Sequence, residues 1–315
     1  MAKDQEIRSE VPLSCLDGCE FASTQLAHNY ERPEVQDVAD VTGDSLELSR
    51  LAARADQDVI IFCGVRFMAE TAAILCPQKR VVLPVPEAGC ALADTATAMQ
   101  LWHKKQLHPL AVVVAYVNTS AAVKAESDIC CTSGNAVEVV RSIEPGHPIL
   151  FVSDRNLGQY VARMTGRHIL FWEGSCPTHA ALSVADLRRA KTEHPGALVI
   201  AHPECRPEVL ELADRVAGTA GMLAYAAQQA PHTRFIVGTD IGLLHRLRKE
   251  NRDKTFFPAS DYLVCPTMKL TTLEDVLRSL ETLEPVVQLD DAIRVHARRA
   301  LDRMLAVRET AAACA

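Results

Sequence analysis

A chain of 315 residues, 48% hydrophobic and 23% charged, can bury a large core and divide into two or three domains. Its formal charge of −7 excludes a general nucleic-acid binder, which needs a basic face. No apolar run approaches the roughly 18 residues of a membrane span, so neither a membrane nor a nucleic acid is an expected partner.

Residues 1–20 read as a tail; its first ten are charged and have no apolar centre, unlike a signal peptide. Phe21 to Leu26 (FASTQL) is mixed and polar, and reads as a poor edge strand ahead of His28. Val59 to Phe62 is a strand-like apolar run, Met68 to Leu75 has helical spacing, and Val81 to Leu83 leads towards Cys90. The succession returns twice. Ile149 to Val152, Leu157 to Met164 and Ile169 to Trp172 lead to Cys176. Phe235 to Val237, Ile241 to Leu247 and Tyr262 to Val264 lead to Cys265. Asp290 to Arg308 has the spacing of a closing helix with a basic polar face.

The repeat has a register. Ala27-His28-Asn29-Tyr30, Ala115-Tyr116-Val117-Asn118 and Ala201-His202-Pro203-Glu204 begin the three copies. Counted from His28, Tyr116 and His202, a valine follows at seven residues (Val35, Val123, Val209) and an aspartate at twelve (Asp40, Asp128, Asp214). A hydroxyl follows at seventeen (Ser45, Ser133, Thr219). Strands alternating with helices build parallel sheets with helical crossovers. The expected fold is therefore α/β, with three homologous three-layer α/β/α domains and parallel sheets in a pseudo-threefold arrangement around a central cluster site. The expected boundaries are 21–107, 108–194 and 195–288, followed by a C-terminal helix and tail at 289–315.

Ligands of such sheets bind beyond the carboxyl ends of the strands. That rule gathers His28, Asn29, Tyr30, Tyr116, Asn118, His202 and Glu204 at one end. Cys90, Cys176 and Cys265 join them, each expected to end a strand and precede a helix, whose N-terminus lowers a thiol's pKa. Ser45, Ser133 and Thr219 fall near helix N-termini, which favour carboxylate or phosphate. Thiolates select an iron–sulfur cluster or zinc, but no Cys-x-x-Cys occurs, and spacing alone also allows three core residues. The chain has eleven cysteines, an odd number that suits a disulfide framework poorly and a reducing, cytoplasmic setting well. Cys63 and Cys76 read as core, Cys130, Cys131 and Cys205 as neighbours of the site, and Cys15, Cys19 and Cys314 as accidental. Arg246 to Lys249 reads as a solvated helix face. No glycine-rich dinucleotide fingerprint points to NAD as a cofactor.

At these residues the sequence resembles the A-type quinolinate synthases of NAD biosynthesis. The resemblance is carried by AHNYERPEVQDVAD (27–40), FCGVRFMAETA (62–72), EAGCALAD (87–94), AYVNTSAAVKAESDICCTSGNA (115–136), GSCPTHA (174–180), AHPECRPEVLELAD (201–214), VGTDIGLLHRLRKEN (237–251) and CPTMK (265–269). It runs from about residue 26 to about 287. It implies a 4Fe–4S cluster held by Cys90, Cys176 and Cys265, one cysteine per domain. It also implies condensation of iminoaspartate with dihydroxyacetone phosphate to quinolinate, phosphate and water. The implied protein partner is an L-aspartate oxidase or dehydrogenase that supplies iminoaspartate. Substrate positions carry over onto His28, Tyr30, Ser45, Tyr116, Asn118, Ser133, His179, His202, Glu204 and Thr219.

Three departures stand out. Gly218 occupies a position where the family commonly has serine, Arg66 one where it has histidine, and Cys265 lacks the further cysteines that some members carry beside it. For the chemistry, Glu204 is the expected acid/base, with His202 and Tyr30 shuttling protons beside an open iron. The alternatives are another 4Fe–4S (de)hydratase of small acids and a non-catalytic metal or redox sensor.

Overall fold

The computed structural model describes residues 23–307. Its strands form three four-stranded sheets, parallel throughout. The first contains β1 (Ser23–His28), β2 (Val41–Gly43), β3 (Val59–Cys63) and β4 (Arg80–Val82) in the order β2-β1-β3-β4. The second repeats that order with β5 (Val112–Tyr116), β6 (Ile129–Cys131), β7 (Ile149–Val152) and β8 (Ile169–Phe171). The third repeats it again with β9 (Leu198–Ala201), β10 (Arg215–Val216), β11 (Arg234–Gly238) and β12 (Thr255–Pro258). Helices flank each sheet, as short apolar strands such as VIIFC and ILFV require when both faces are covered.

The repeat register acquires distinct physical meanings. Val35, Val123 and Val209 are fully buried core residues. The three aspartates are ties within each sheet: Asp40, Asp128 and Asp214 accept from the backbone N–H of Gln25, Val113 and Val199 at 2.8, 2.8 and 2.7 Å. Each holds the first strand of its own unit, well before the strand reaches its carboxyl end.

The units interlock head to tail. Helices Ala98–Leu107, Val184–Glu193 and Leu273–Thr282 each begin with a capping box, Thr97 with Gln100, Ser183 with Asp186 and Thr272 with Asp275. Each then packs on the sheet of the following unit. Leu101 joins Val113 and Val152 of the second sheet, and Leu187 joins Val199 and Ile236 of the third. Val276 returns to Ala27, Val59 and Ile61 of the first. Just after it, the Val287 N–H donates to the Val81 carbonyl at 2.8 Å, so the ring closes through the backbone as well. The expected closing helix is present as Asp291–Ala306, burying Ala297, Ala300, Leu301 and Met304. Residues 1–22 and 308–315, with Cys15, Cys19 and Cys314, lie outside the described residues.

Three expectations are corrected. The strand beginning in FASTQL is an interior strand, flanked by β2 and β3. Its polar start is satisfied locally, Thr24 Oγ1 donating to Gln57 Oε1 at 2.7 Å, while Leu26 and Ala27 enter the core. Tyr262 to Val264 is a turn and loop; the fourth strand of the third sheet lies earlier, at β12, where Phe256 stacks on Phe235 with centroids 5.1 Å apart. Leu263 is buried nevertheless, and its carbonyl accepts from Ile241 N–H at 2.9 Å. Arg246 is a tie between units: Nη1 donates to Asn29 Oδ1 at 3.0 Å and to the Thr42 carbonyl at 2.6 Å. No helix among the described residues is long and apolar enough to cross a membrane.

Candidate active site

At the carboxyl ends of all three sheets the chain leaves one cavity of about 120 Å³. Its walls include His28, Tyr30, Ser45, Tyr116, Asn118, Ser133, His179, His202, Glu204 and Thr219, together with Cys90, Cys176 and Cys265. All the sequence candidates converge there except Asn29, which is buried outside the lining with its Nδ2 donating to Thr219 Oγ1 at 2.9 Å. Ser45 and Thr219 are the first residues of ten-residue helices, and Ser133 lies two residues before the helix cap Asn135. Arg66 contributes nothing to these walls; its guanidinium donates outward to the Pro86 carbonyl at 2.6 Å. Gly218 has a definite spatial role, since a β-carbon there would meet Ser133 Oγ at 2.6 Å. Ser133 occupies that space and sits 3.2 Å from His202 Nε2.

Glu204 is the electrostatic centre. Its Oε2 lies 3.0 Å from His179 Nδ1 and 3.1 Å from His202 Nδ1, and those two rings stack at 4.4 Å between centroids. Burial alone would push the carboxyl up, but His179 and His202, through charge and hydrogen bonds, hold it well below the usual carboxylate range. Its other oxygen, Oε1, is buried without a hydrogen-bond partner among the described residues. His179 Nε2 lies 2.8 Å from Thr239 Oγ1, which lies 2.5 Å from the Tyr30 hydroxyl. With His179 protonated on Nδ1, the line runs from Tyr30 O–H through the Thr239 hydroxyl to the imidazole and on to Glu204. His28 is kept neutral, its pKa lowered to about 3 by burial and then by Lys269 and His202.

The sequence reading missed the groups that hold this constellation. Asp154 and Asp240 are counterparts at the ends of β7 and β11. Asp154 Oδ1 accepts from Leu157 N–H at 2.7 Å and Oδ2 from Cys176 N–H at 2.9 Å. Asp240 Oδ1 accepts from Gly242 N–H at 2.7 Å and Oδ2 from Cys265 N–H at 2.5 Å. Each fixes a helix start and a cysteine loop with one carboxylate. The first unit has Val65 in that place. Lys269 pairs with Asp240 at 2.9 Å and donates to the Tyr30 carbonyl, joining the Cys265 loop to the Tyr30 loop. A recurring Ser-Asp or Thr-Asp pair, Ser153-Asp154 and Thr239-Asp240, was the available signal.

The thiols differ from expectation in one respect. None of the three ends a strand; each stands in a loop beyond β4, β8 or β12, ahead of a short helical turn. Cys176 caps the helix Pro177–Ala181, yet burial and the charge of Glu204 push its pKa well up, and burial raises Cys90 to about 12. Burial outweighs the helix ends. The donor set still fits an iron–sulfur cluster: three soft donors from three units face one cavity, all eight described cysteines are free thiols, and Cys90 lies within electrostatic reach of both Cys176 and Cys265. A cationic core would favour their thiolate forms. A tighter group is also present, the donor atoms of Cys176, His179 and Glu204 lying within 4.8 Å of one another.

Comparison with known proteins bears on the chain as a whole. The family model described as Quinolinate synthetase A protein matches residues 21–306. The chain is 57% identical over 282 residues to a quinolinate synthase of Geotalea uraniireducens, covering 90% of this chain and 92% of that protein. It is 56% identical to that of Geobacter metallireducens, covering 90% and 92%, and 55% identical to that of Methanoregula boonei, covering 90% and 93%. A match across nearly the whole chain settles the lineage: the chain belongs to the quinolinate synthetase A family.

Proposed function

We propose that this chain is a quinolinate synthase that condenses iminoaspartate with dihydroxyacetone phosphate, releasing phosphate and water, with Cys90, Cys176 and Cys265 holding a 4Fe–4S cluster. The observation that carries the reading is the convergence of one thiol from each of three units on a cavity that also contains the orphaned Oε1 of Glu204. When bound, the cluster supplies an iron with an open coordination place, a Lewis acid towards a substrate oxygen.

The chain's own residues do the rest. Glu204 Oε1, unpartnered in the cavity, takes or gives the proton as bonds to carbon and nitrogen form and water leaves. His179 and His202 stabilise its anionic form from the Oε2 side, and the Tyr30–Thr239 hydroxyl pair, donating to His179 Nε2, keeps the Nδ1 proton directed at Glu204. Ser45 and Thr219 present hydroxyls and first-turn N–H groups to carboxylate or phosphate, with Ser133, Asn118, Tyr116 and His28 completing the polar wall. The cavity is largely enclosed in buried side chains, so water is excluded while the imine and carbonyl intermediates form. We place the protein in the cytoplasm, where its thiols stay reduced, with an iminoaspartate-producing oxidase or dehydrogenase as its supplier.

Anaerobic purification, iron and sulfide analysis and an assay for quinolinate from the two substrates test the reading. Iron and sulfide near four each per chain, with quinolinate formed, is the expected result. Zinc without sulfide and no quinolinate would overturn it.

A further inference from the structure

Thr219 opens the ten-residue helix Thr219–Gln228 and lines the cavity. The cap before it is Gly218, and Ala220, Gly221 and Met222 complete the first turn, so Thr219 carries the only side-chain donor at this helix start. Its hydroxyl is held from the next unit of the ring. Asn29, fully buried in the loop after β1, donates from Nδ2 to Thr219 Oγ1 at 2.9 Å.

An amide can present either its oxygen or its nitrogen to a hydroxyl, with opposite consequences for where the hydroxyl hydrogen points. Arg246 decides between them. Its Nη1 lies 3.0 Å from Asn29 Oδ1, and a guanidinium only donates, so the amide turns its oxygen to Arg246 and its nitrogen to Thr219. Arg246 is itself anchored, Nη1 donating to the Thr42 carbonyl and Nε to Glu250 Oε1, each at 2.6 Å. An oxygen that accepts from Asn29 keeps its own hydrogen to give. Among the described residues no group accepts that hydrogen, and the cavity is what Thr219 faces.

The device belongs to one unit. The positions matching Asn29 are Val117 and Pro203, which have no amide. Ser133, the counterpart of Thr219, meets His202 Nε2 at 3.2 Å, a ring nitrogen that donates or accepts according to its tautomer. Donor polarity is forced only at Thr219.

We infer that Asn29 and Arg246 are positioning residues that fix the Thr219 hydroxyl as a donor towards an anionic oxygen, carboxylate or phosphate, of the substrate. The identity of that substrate rests on the synthase reading above, in which iminoaspartate brings carboxylates and dihydroxyacetone phosphate brings a phosphate.

Steady-state kinetics of the cluster-loaded protein, each substrate varied in turn, test the relay alongside calorimetric titration with quinolinate and with inorganic phosphate. Asn29→Asp places an acceptor before Thr219 while Arg246 offsets its charge, so the hydroxyl turns away from the cavity. The KM of one substrate is expected to rise roughly 10- to 100-fold with kcat little changed, as for a lost hydrogen bond to a charged group. A higher KM for iminoaspartate with weaker quinolinate binding assigns the site to a carboxylate. A higher KM for dihydroxyacetone phosphate with weaker phosphate binding assigns it to a phosphate. Thr219→Val should give the same rise, and adding Asn29→Asp to it should change KM no further. Arg246→Lys keeps a donor-only group against Oδ1 and should stay near the wild type, whereas Arg246→Gln, which donates and accepts, should raise the same KM. That pair decides should Asn29→Asp fail to fold. Additive effects of Asn29→Asp and Thr219→Val, or equal KM values in Arg246→Lys and Arg246→Gln, overturn the inference. Probe binding that responds to these variants in a protein making no quinolinate overturns the synthase reading and leaves the relay standing. A wild-type protein that binds neither probe and makes no quinolinate overturns both.

Discussion

Gly242 offers the sharpest test of how the third unit positions the first. Its backbone lies in the right-handed helical region, with φ −59° and ψ −31°, so alanine fits it without conformational strain. Tertiary contact says the opposite. A β-carbon at 242 would meet the Tyr30 carbonyl oxygen at 2.7 Å and the Tyr30 carbonyl carbon and Cα at 2.8 Å, all of it backbone. Ordinary contact begins near 3.4 Å, so the Tyr30 loop has to retreat by about 0.7 Å. That loop carries the hydroxyl lying 2.5 Å from Thr239 Oγ1, and a retreat of this size breaks the line to His179. Misplacing a catalytic group by about 1 Å costs up to roughly 100-fold, so Gly242→Ala is expected to lower kcat by 10- to 100-fold. The overpacking is expected to cost about 1–3 kcal/mol in stability, read as a lower Tm. Iron and sulfide analysis reads the Cys265 loop separately, since Lys269 ties that loop to the Tyr30 carbonyl. Wild-type kcat and Tm in Gly242→Ala would refute the idea that this close approach positions Tyr30.

Three further outcomes are expected. Glu204→Gln should retain the cluster's absorbance while kcat falls by roughly 10²- to 10⁴-fold, and near-normal turnover would remove Glu204 from its acid/base role. Asp214→Ala removes a charged acceptor from the first strand of the third sheet, and should cost about 1.5–3 kcal/mol by denaturant unfolding with kcat intact under folding conditions; a loss of kcat without a loss of stability would contradict the assignment. His28 titrates near 3 when folded and near 6.5 when unfolded, so its stabilising effect is complete above pH 6.5. It is lost as pH falls towards 3, by up to about 1.4 kcal/mol per unit. The decline of Tm between pH 6.5 and 5 should therefore be shallower in His28→Gln, and equal slopes would show that His28 is not held neutral by the fold.

The repeat register was legible because each of its offsets answers to a geometric need that recurs in every unit. Val35 and its counterparts fill a core, Asp40 and its counterparts tie a strand, and Ser45 and its counterparts face the cavity. Spacing alone does not say what the aspartates do; their role as ties within each sheet is visible only in the backbone partners of Asp40, Asp128 and Asp214. Tyr262 to Val264 read as a strand because buried Leu263 lies in a short apolar run, whereas pairing with β11 selected Thr255–Pro258 further upstream. Asp154 and Asp240 escaped notice because the first unit replaces them with Val65, which breaks the threefold pattern at the residues that brace two of the three cysteine loops. The head-to-tail exchange of helices has no signature in any single segment beyond its three capping boxes, because which sheet a helix covers is decided by tertiary packing.

The central claim concerns where the metal sits. Crystals grown anaerobically and measured at the iron absorption edge should show anomalous density for a four-iron group bounded by the sulfurs of Cys90, Cys176 and Cys265. A single metal peak held by Cys176, His179 and Glu204, with Cys90 and Cys265 left as free thiols, would contradict it.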